Sequence, residues 1–135
     1  MVAYISVSFG KRKLIDEEVS AISNVLTELN IIPFIFVDHY KFDPAREQQM
    51  MQQAMSDIDK CDLLIAETSY KGIGIGIEVG YAKAKGKPVI YVRQKDAEHS
   101  TTVSGISDFQ VVYRDIHDLQ NQLRDIINKI LATLE

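Results

Sequence analysis

The chain predicts a single α/β domain: a doubly wound, five-stranded parallel sheet of the flavodoxin or Rossmann-like kind, with helices on both faces. Three observations point there. Short apolar runs alternate with segments of helical period along the whole sequence. One of those runs, Leu63-Leu64-Ile65-Ala66, is apolar at successive positions, as a strand covered on both faces must be. The 135 residues suffice for one hydrophobic core and not for two, so residues 1–135 read as one domain.

The elements follow in order. Val2 to Ser8 reads as a buried strand, and Phe9 to Leu14 as a loop carrying Gly10, Lys11, Arg12 and Lys13. Asp16 is placed to cap a helix whose apolar side is Val19, Ile22, Leu26 and Leu29, and Asn30 is placed to end it. Ile31 to Val37 reads as a second strand, with Pro33 near its start where a missing N–H is tolerable. Asp38 to Asp43 is a polar loop, and Asp43-Pro44 opens a helix that runs to about Ile58. The third strand, Leu63 to Ala66, leads into a glycine-rich loop, Thr68 to Gly76, and a helix that Gly86 stops. Pro88 to Val92 is the fourth strand. Gln94 to Asp108 is a polar connection with room for one helical turn. Phe109 to Tyr113 is the fifth strand, and Ile116, Leu119, Leu123, Ile127 and Ile130 line a last helix. Right-handed crossovers prune the possible topologies, and the strand order expected is 2-1-3-4-5.

Composition narrows the function. Apolar residues make up 46% and charged ones 25%, as in a soluble globular protein. Fifteen Lys and Arg against nineteen Asp and Glu leave a net charge of −4, which disfavours a nucleic-acid polymer as partner. The lone Cys61 excludes a disulfide framework within the chain and any multi-cysteine zinc site, and it suits a reducing compartment. His39, His99 and His117 show no ligand spacing, so no metal is expected. No run is long enough to cross a membrane, and the start reads as a strand rather than a leader, so a cytoplasmic protein is expected.

Ligands of such sheets bind beyond the carboxyl ends of the strands, and that is where the unusual residues fall. Gly72-Ile73-Gly74-Ile75-Gly76-Ile77-Glu78 is neither a Walker A loop nor a dinucleotide fingerprint. Its glycines let backbone approach a ligand and present N–H groups to an anion. Glu78 falls in the expected first helical turn, where a carboxylate either complements the dipole or serves as a nucleophile. Ser8, Gly10, Lys11, Arg12 and Lys13 could hold a phosphate or form a solvated basic loop. Ser100-Thr101-Thr102-Val103-Ser104-Gly105 could close over a phosphate or sugar, or be a turn and helix cap. Met50, Met51 and Met55 read as core filler.

Taken together, these segments resemble the nucleoside 2-deoxyribosyltransferase superfamily, and within it the 2′-deoxynucleoside 5′-monophosphate N-hydrolases. The strongest part runs from Cys61-Asp62-Leu63-Leu64-Ile65-Ala66-Glu67 through Gly74-Ile75-Gly76-Ile77-Glu78-Val79-Gly80-Tyr81-Ala82 to Gly86-Lys87-Pro88-Val89. The resemblance implies that Glu78 is the nucleophile that opens the N-glycosidic bond. It implies substrate contacts from Ser8, Phe9, Gly10, Lys11, Arg12, Lys13, His39, Gly72, Gly74 and Gly76. It also implies a homodimer in which Ser100, Thr101 and Thr102 complete the neighbour's site, a nucleotide substrate, and no cofactor. Two positions depart from the family. Ala54 stands where the family carries an assisting Asp, and Asp57, one turn further on the same helix, is the candidate substitute. Gly72 stands where the hydrolases carry a phosphate-binding Ser. The function expected is hydrolysis of a nucleoside 5′-monophosphate to free base and sugar phosphate. A nucleotide-binding module without turnover, and transfer of the sugar to a second base, are the alternatives.

Overall fold

A computed structural model describes residues 1–41 and 43–134. Five parallel strands form the sheet: β1 (Val2–Ser6), β2 (Ile32–Ile35), β3 (Leu63–Glu67), β4 (Val89–Gln94) and β5 (Phe109–Tyr113). Their order is β2-β1-β3-β4-β5, the order expected. The helices are α1 (Asp16–Glu28), α2 (Phe36–His39), α3 (Glu47–Asp59), α4 (Ile73–Ala84), α5 (Thr101–Ile106) and α6 (Ile116–Thr133). The register pairs Ser6 with Ala66 and Glu67 with Val92.

Each central strand sends alternate side chains to opposite faces. Ala3, Ile5, Leu63, Ile65, Ile90 and Val92 pack with α1 and α6 in one core. Tyr4, Leu64, Ala66 and Val89 pack with α3 and α4 in the other. That second face also carries Ser6 and, beyond it, the site.

Several boundaries differ from the sequence reading. β1 ends at Ser6, and Phe9–Ile15 is a 3₁₀ helix rather than a loop. Asp16 begins α1 instead of capping it; the cap position is Ile15, and Asp16 accepts from Arg12 Nη1 at 2.6 Å. Asn30 does end α1, at φ 61°, with Ile31 N–H returning to Leu26 O at 2.8 Å in a Schellman closure. β2 stops at Ile35 because the chain turns at once into α2, which takes up Asp38 and His39. Asp43 caps a short 3₁₀ turn, Pro44–Arg46, through its side chain on Ala45 N–H at 3.0 Å, and α3 follows.

The largest departure is the glycine-rich segment. α4 already begins at Ile73, with Gly72 as its N-cap, so Gly74 and Gly76 are helical. Ile75, Val79 and Ala82 recur at spacings of four and three and are buried against the sheet. Each helical glycine costs about 1 kcal/mol relative to alanine, and burial of the three apolar side chains exceeds that. At the far end Gly86 takes φ 74°, and Lys87 N–H returns to Ala82 O at 3.0 Å. Gly86 thus stops the helix as expected.

Candidate active site

Glu78 lies in the second turn of α4, since no acidic residue falls in the first. The dipole therefore does not explain its position. Two hydroxyl groups from β1 do. Tyr4 Oη donates to Glu78 Oε2, and Ser6 Oγ donates to Oε1 at 3.0 Å. Tyr4 and Ser6 are two residues apart on a strand, so they share the face that meets α4. Burial raises the Glu78 pKa above the ordinary carboxylate value, and the two donors pull it back down. Burial first, and then the Glu78 charge, drive the Tyr4 phenol strongly upward, so it stays protonated and stays a donor.

Glu78 opens into a cavity of about 430 Å³ at the carboxyl end of the sheet. That volume suits a small organic ligand. One wall is Ser8, Phe9 and Gly10, and the next is Phe36 and Val37. Met50, Met51 and Ala54 of α3 form another, and Gly72 to Ile75, Ile77 and Glu78 the last. The cavity thus unites six of the residues singled out from sequence: Ser8, Phe9, Gly10, Gly72, Gly74 and Glu78. A Cβ on Gly72 would lie 3.5 Å from Ser8 Cα, so the N-terminus of α4 and the end of β1 meet closely.

The other expected site residues lie elsewhere. Arg12 is held by Asp38 in a two-bond pair at 2.8 and 2.9 Å and by Asp16, off the cavity wall. Lys11 and Lys13 are exposed on the 3₁₀ helix, also off that wall. His39 stacks on Phe34 with ring centroids 4.5 Å apart. It lines a neighbouring hollow of about 460 Å³, which shares Met50 with the first. Gly76, Ser100 and Thr102 line a third hollow, of about 340 Å³, which shares Gly72, Ile73 and Ile75 with the main cavity. Thr101 is exposed and on neither wall. Ser100 caps α5 through Val103 N–H, the commonplace use of such a residue.

Asp57 is likewise off the cavity wall, which Ala54 occupies one turn earlier on α3. Its Oδ1 accepts from Gln53 Nε2 at 3.0 Å. It neighbours Tyr4, Tyr40 and Cys61, and its charge adds to the burial that raises all three of their pKa values. Asp57, the expected substitute for the Asp missing at Ala54, is thus placed off the cavity wall and near Tyr4, which bonds Glu78.

Tyr4 and Ser6, the partners of Glu78, were not among the candidate site residues read from sequence. Their signal was polar side chains at alternate positions of an otherwise apolar strand. Met50 and Met51 were expected in the core; Met50 does pack against the second core, and both also wall the cavity. Glu67, 1% exposed, was also overlooked. It accepts from Ser69 N–H at 2.6 Å, from Ser69 Oγ at 3.0 Å and from Tyr113 Oη at 2.8 Å. Burial raises its pKa and those donors oppose the rise. The cluster pins the turn between β3 and Gly72. Among the described residues no group of acidic, His or Cys side chains could hold a metal ion.

The fold class is thus a parallel doubly wound α/β domain that carries a carboxylate, held by two hydroxyl groups, beside a cavity at the carboxyl edge of its sheet. Comparison with known proteins is more specific: residues 10–124 match the nucleoside 2-deoxyribosyltransferase family model, and the chain belongs to that family. A candidate 2′-deoxynucleoside 5′-phosphate N-hydrolase of Thermofilum pendens is 28% identical over 85 residues. That match spans 59% of this chain and 59% of the relative, so the chain covers somewhat over half of its length. The 2-deoxyribosyltransferase of Bacillus psychrosaccharolyticus superposes with a TM-score of 0.68 at 18% identity, over 90% of this chain and 91% of that one. The CMP N-glycosidase of Clostridium botulinum gives 0.62 at 20% identity, over 93% and 99%. These two likenesses concern the fold.

Proposed function

We propose that this protein hydrolyses the N-glycosidic bond of a nucleoside 5′-monophosphate, with Glu78 as nucleophile. The observation that carries this reading is a carboxylate fixed by Tyr4 and Ser6 and opening into the cavity. Family membership and the similarity to a candidate N-hydrolase support it. Glu78 attacks the anomeric carbon as the base departs, through an oxocarbenium-like transition state. Water then releases the sugar phosphate from the glycosyl-enzyme, as in retaining glycoside hydrolysis. Tyr4 and Ser6 hold the attacking group in one orientation, which reduces the entropy lost in reaching the transition state. Ser8, Gly10 and the first N–H groups of α4 suit the phosphate, because a helix N-terminus favours an anion. The assembly in this reading is a dimer, with Ser100, Thr101 and Thr102 serving the second copy.

The test is chromatographic detection of free base from a panel of ribo- and 2′-deoxynucleoside 5′-monophosphates. Glu78→Gln should lower release by about a thousandfold or more, since removing a nucleophile leaves only binding and positioning. Equal release by the variant overturns the mechanism. Ala54 motivates a second reading, a nucleotide-binding module without turnover, which predicts saturable binding and no base release by the wild-type protein.

A further inference from the structure

The cavity is unusual in what it offers the departing base. Among the described residues on its wall, Glu78 is the only one with a titratable side chain. Ser8 supplies the one other polar side chain, and it stands at the Gly72 end. Opposite α4 the surface is Phe36, Val37, Met50, Met51 and Ala54. Asp57 is not among the residues of this wall. A neutral base leaves with the bonding electron pair and becomes an anion unless it is protonated as the bond breaks. In an apolar pocket without a proton donor that charge is strongly opposed. A base attached through a positively charged ring behaves oppositely. It takes up the electron pair and becomes neutral, which an apolar wall favours, while positive charge moves to the sugar beside the Glu78 carboxylate.

We propose that the preferred substrate is a nucleotide whose base is cationic when bound, such as a pyridinium or N7-alkylpurine nucleotide. This rests on the reading of Glu78 as nucleophile. In the first step a C1′–Oε bond forms with Glu78 and the C1′–N bond breaks. The electron pair passes to the ring, which leaves uncharged, and no proton is needed. In the second step water attacks C1′, the C1′–Oε bond breaks and the carboxylate is restored. The proton lost by water goes to solvent. The products are neutral base, sugar 5-phosphate and one proton. Flat rings against methionine sulfur and Phe36 supply the binding contacts, with dispersion and cation–π attraction in place of hydrogen bonds.

The experiment uses matched pairs, guanosine 5′-monophosphate against its N7-methyl derivative, in both the ribo and the 2′-deoxy series. Nicotinamide mononucleotide joins as a pyridinium probe. Enzymatic rates are taken after subtraction of spontaneous loss and with Glu78→Gln as control. The expected result is kcat/KM more than tenfold higher for the N7-methyl member of at least one pair, lost in Glu78→Gln. A ratio of tenfold or less overturns the proposal, as does cleavage of neutral bases alone, and both leave the N-glycosidase reading standing. Cleavage of no nucleotide of either kind overturns both. Ala54→Asp provides a second test, because it places a protonatable group on the wall. The cationic-to-neutral ratio should fall at least tenfold in that variant, most at low pH. An unchanged ratio in folded Ala54→Asp overturns the proposal, and if the variant does not fold, the wild-type pairs decide alone.

Discussion

Glu78 depends on Tyr4 for its charge as well as its position. The phenol donates to the ionised carboxylate and not to the protonated acid in the same way, so it lowers a pKa that burial raises. Removing that donor in Tyr4→Phe therefore raises the Glu78 pKa further. The carboxylate that the proposed attack requires is then lost at a higher pH than in the wild-type protein. A hydrogen bond to a charged group contributes about 1.5–3 kcal/mol, so kcat/KM at about pH 6 should fall by roughly tenfold or more. The deficit should shrink as pH rises. A pH profile of base release checks this, and an acid limb that stays in place refutes it. Ser6→Ala should shift the limb in the same direction.

At the scale of the element, α4 is a helix made by its surroundings. Its glycines disfavour a helix, and it stands because Ile75, Val79 and Ala82 are buried on the sheet and because Gly86 closes its end. The left-handed backbone at Gly86 costs any residue with a Cβ about 1–2 kcal/mol. Nothing crowds a Cβ there, so the backbone term stands alone. Gly86→Ala should lower stability by about that amount, read as a lower urea midpoint with an unchanged slope. Gly86 lies eight residues beyond Glu78, about 12 Å along the helix, so KM should not change. A wild-type midpoint in Gly86→Ala contradicts this account of the helix stop.

At the scale of the whole molecule, the sheet separates two cores, and only one of them adjoins the site. Leu123 of α6 is fully buried on the opposite face, among residues of α1 and the central strands. Leu123→Ala removes contacts there and should cost about 2–5 kcal/mol, seen as a lower Tm. The cavity is built from the other face, so the folded fraction at low temperature should keep the wild-type KM. A changed KM with little loss of Tm shows the two cores to be coupled through the sheet. Among the described residues no helix is long and apolar enough to cross a membrane.

The sequence by itself determined the α/β fold class and the family, and it singled out Glu78, though one turn too early in its helix. Apolar runs, helical periods and the G-x-G-x-E spacing are local patterns, and they read directly along the chain. Tertiary structure decided the rest. Tyr4 and Ser6 meet Glu78 across more than seventy residues, because β1 lies beneath α4. Arg12 is drawn to Asp38 and Asp16 and away from the expected phosphate site. Ala54 lines the cavity where Asp57, one turn further on and also buried, does not. The glycine-rich stretch is helical because burial outweighs propensity. Each of these depends on distances between segments far apart in the chain, which residue order does not carry.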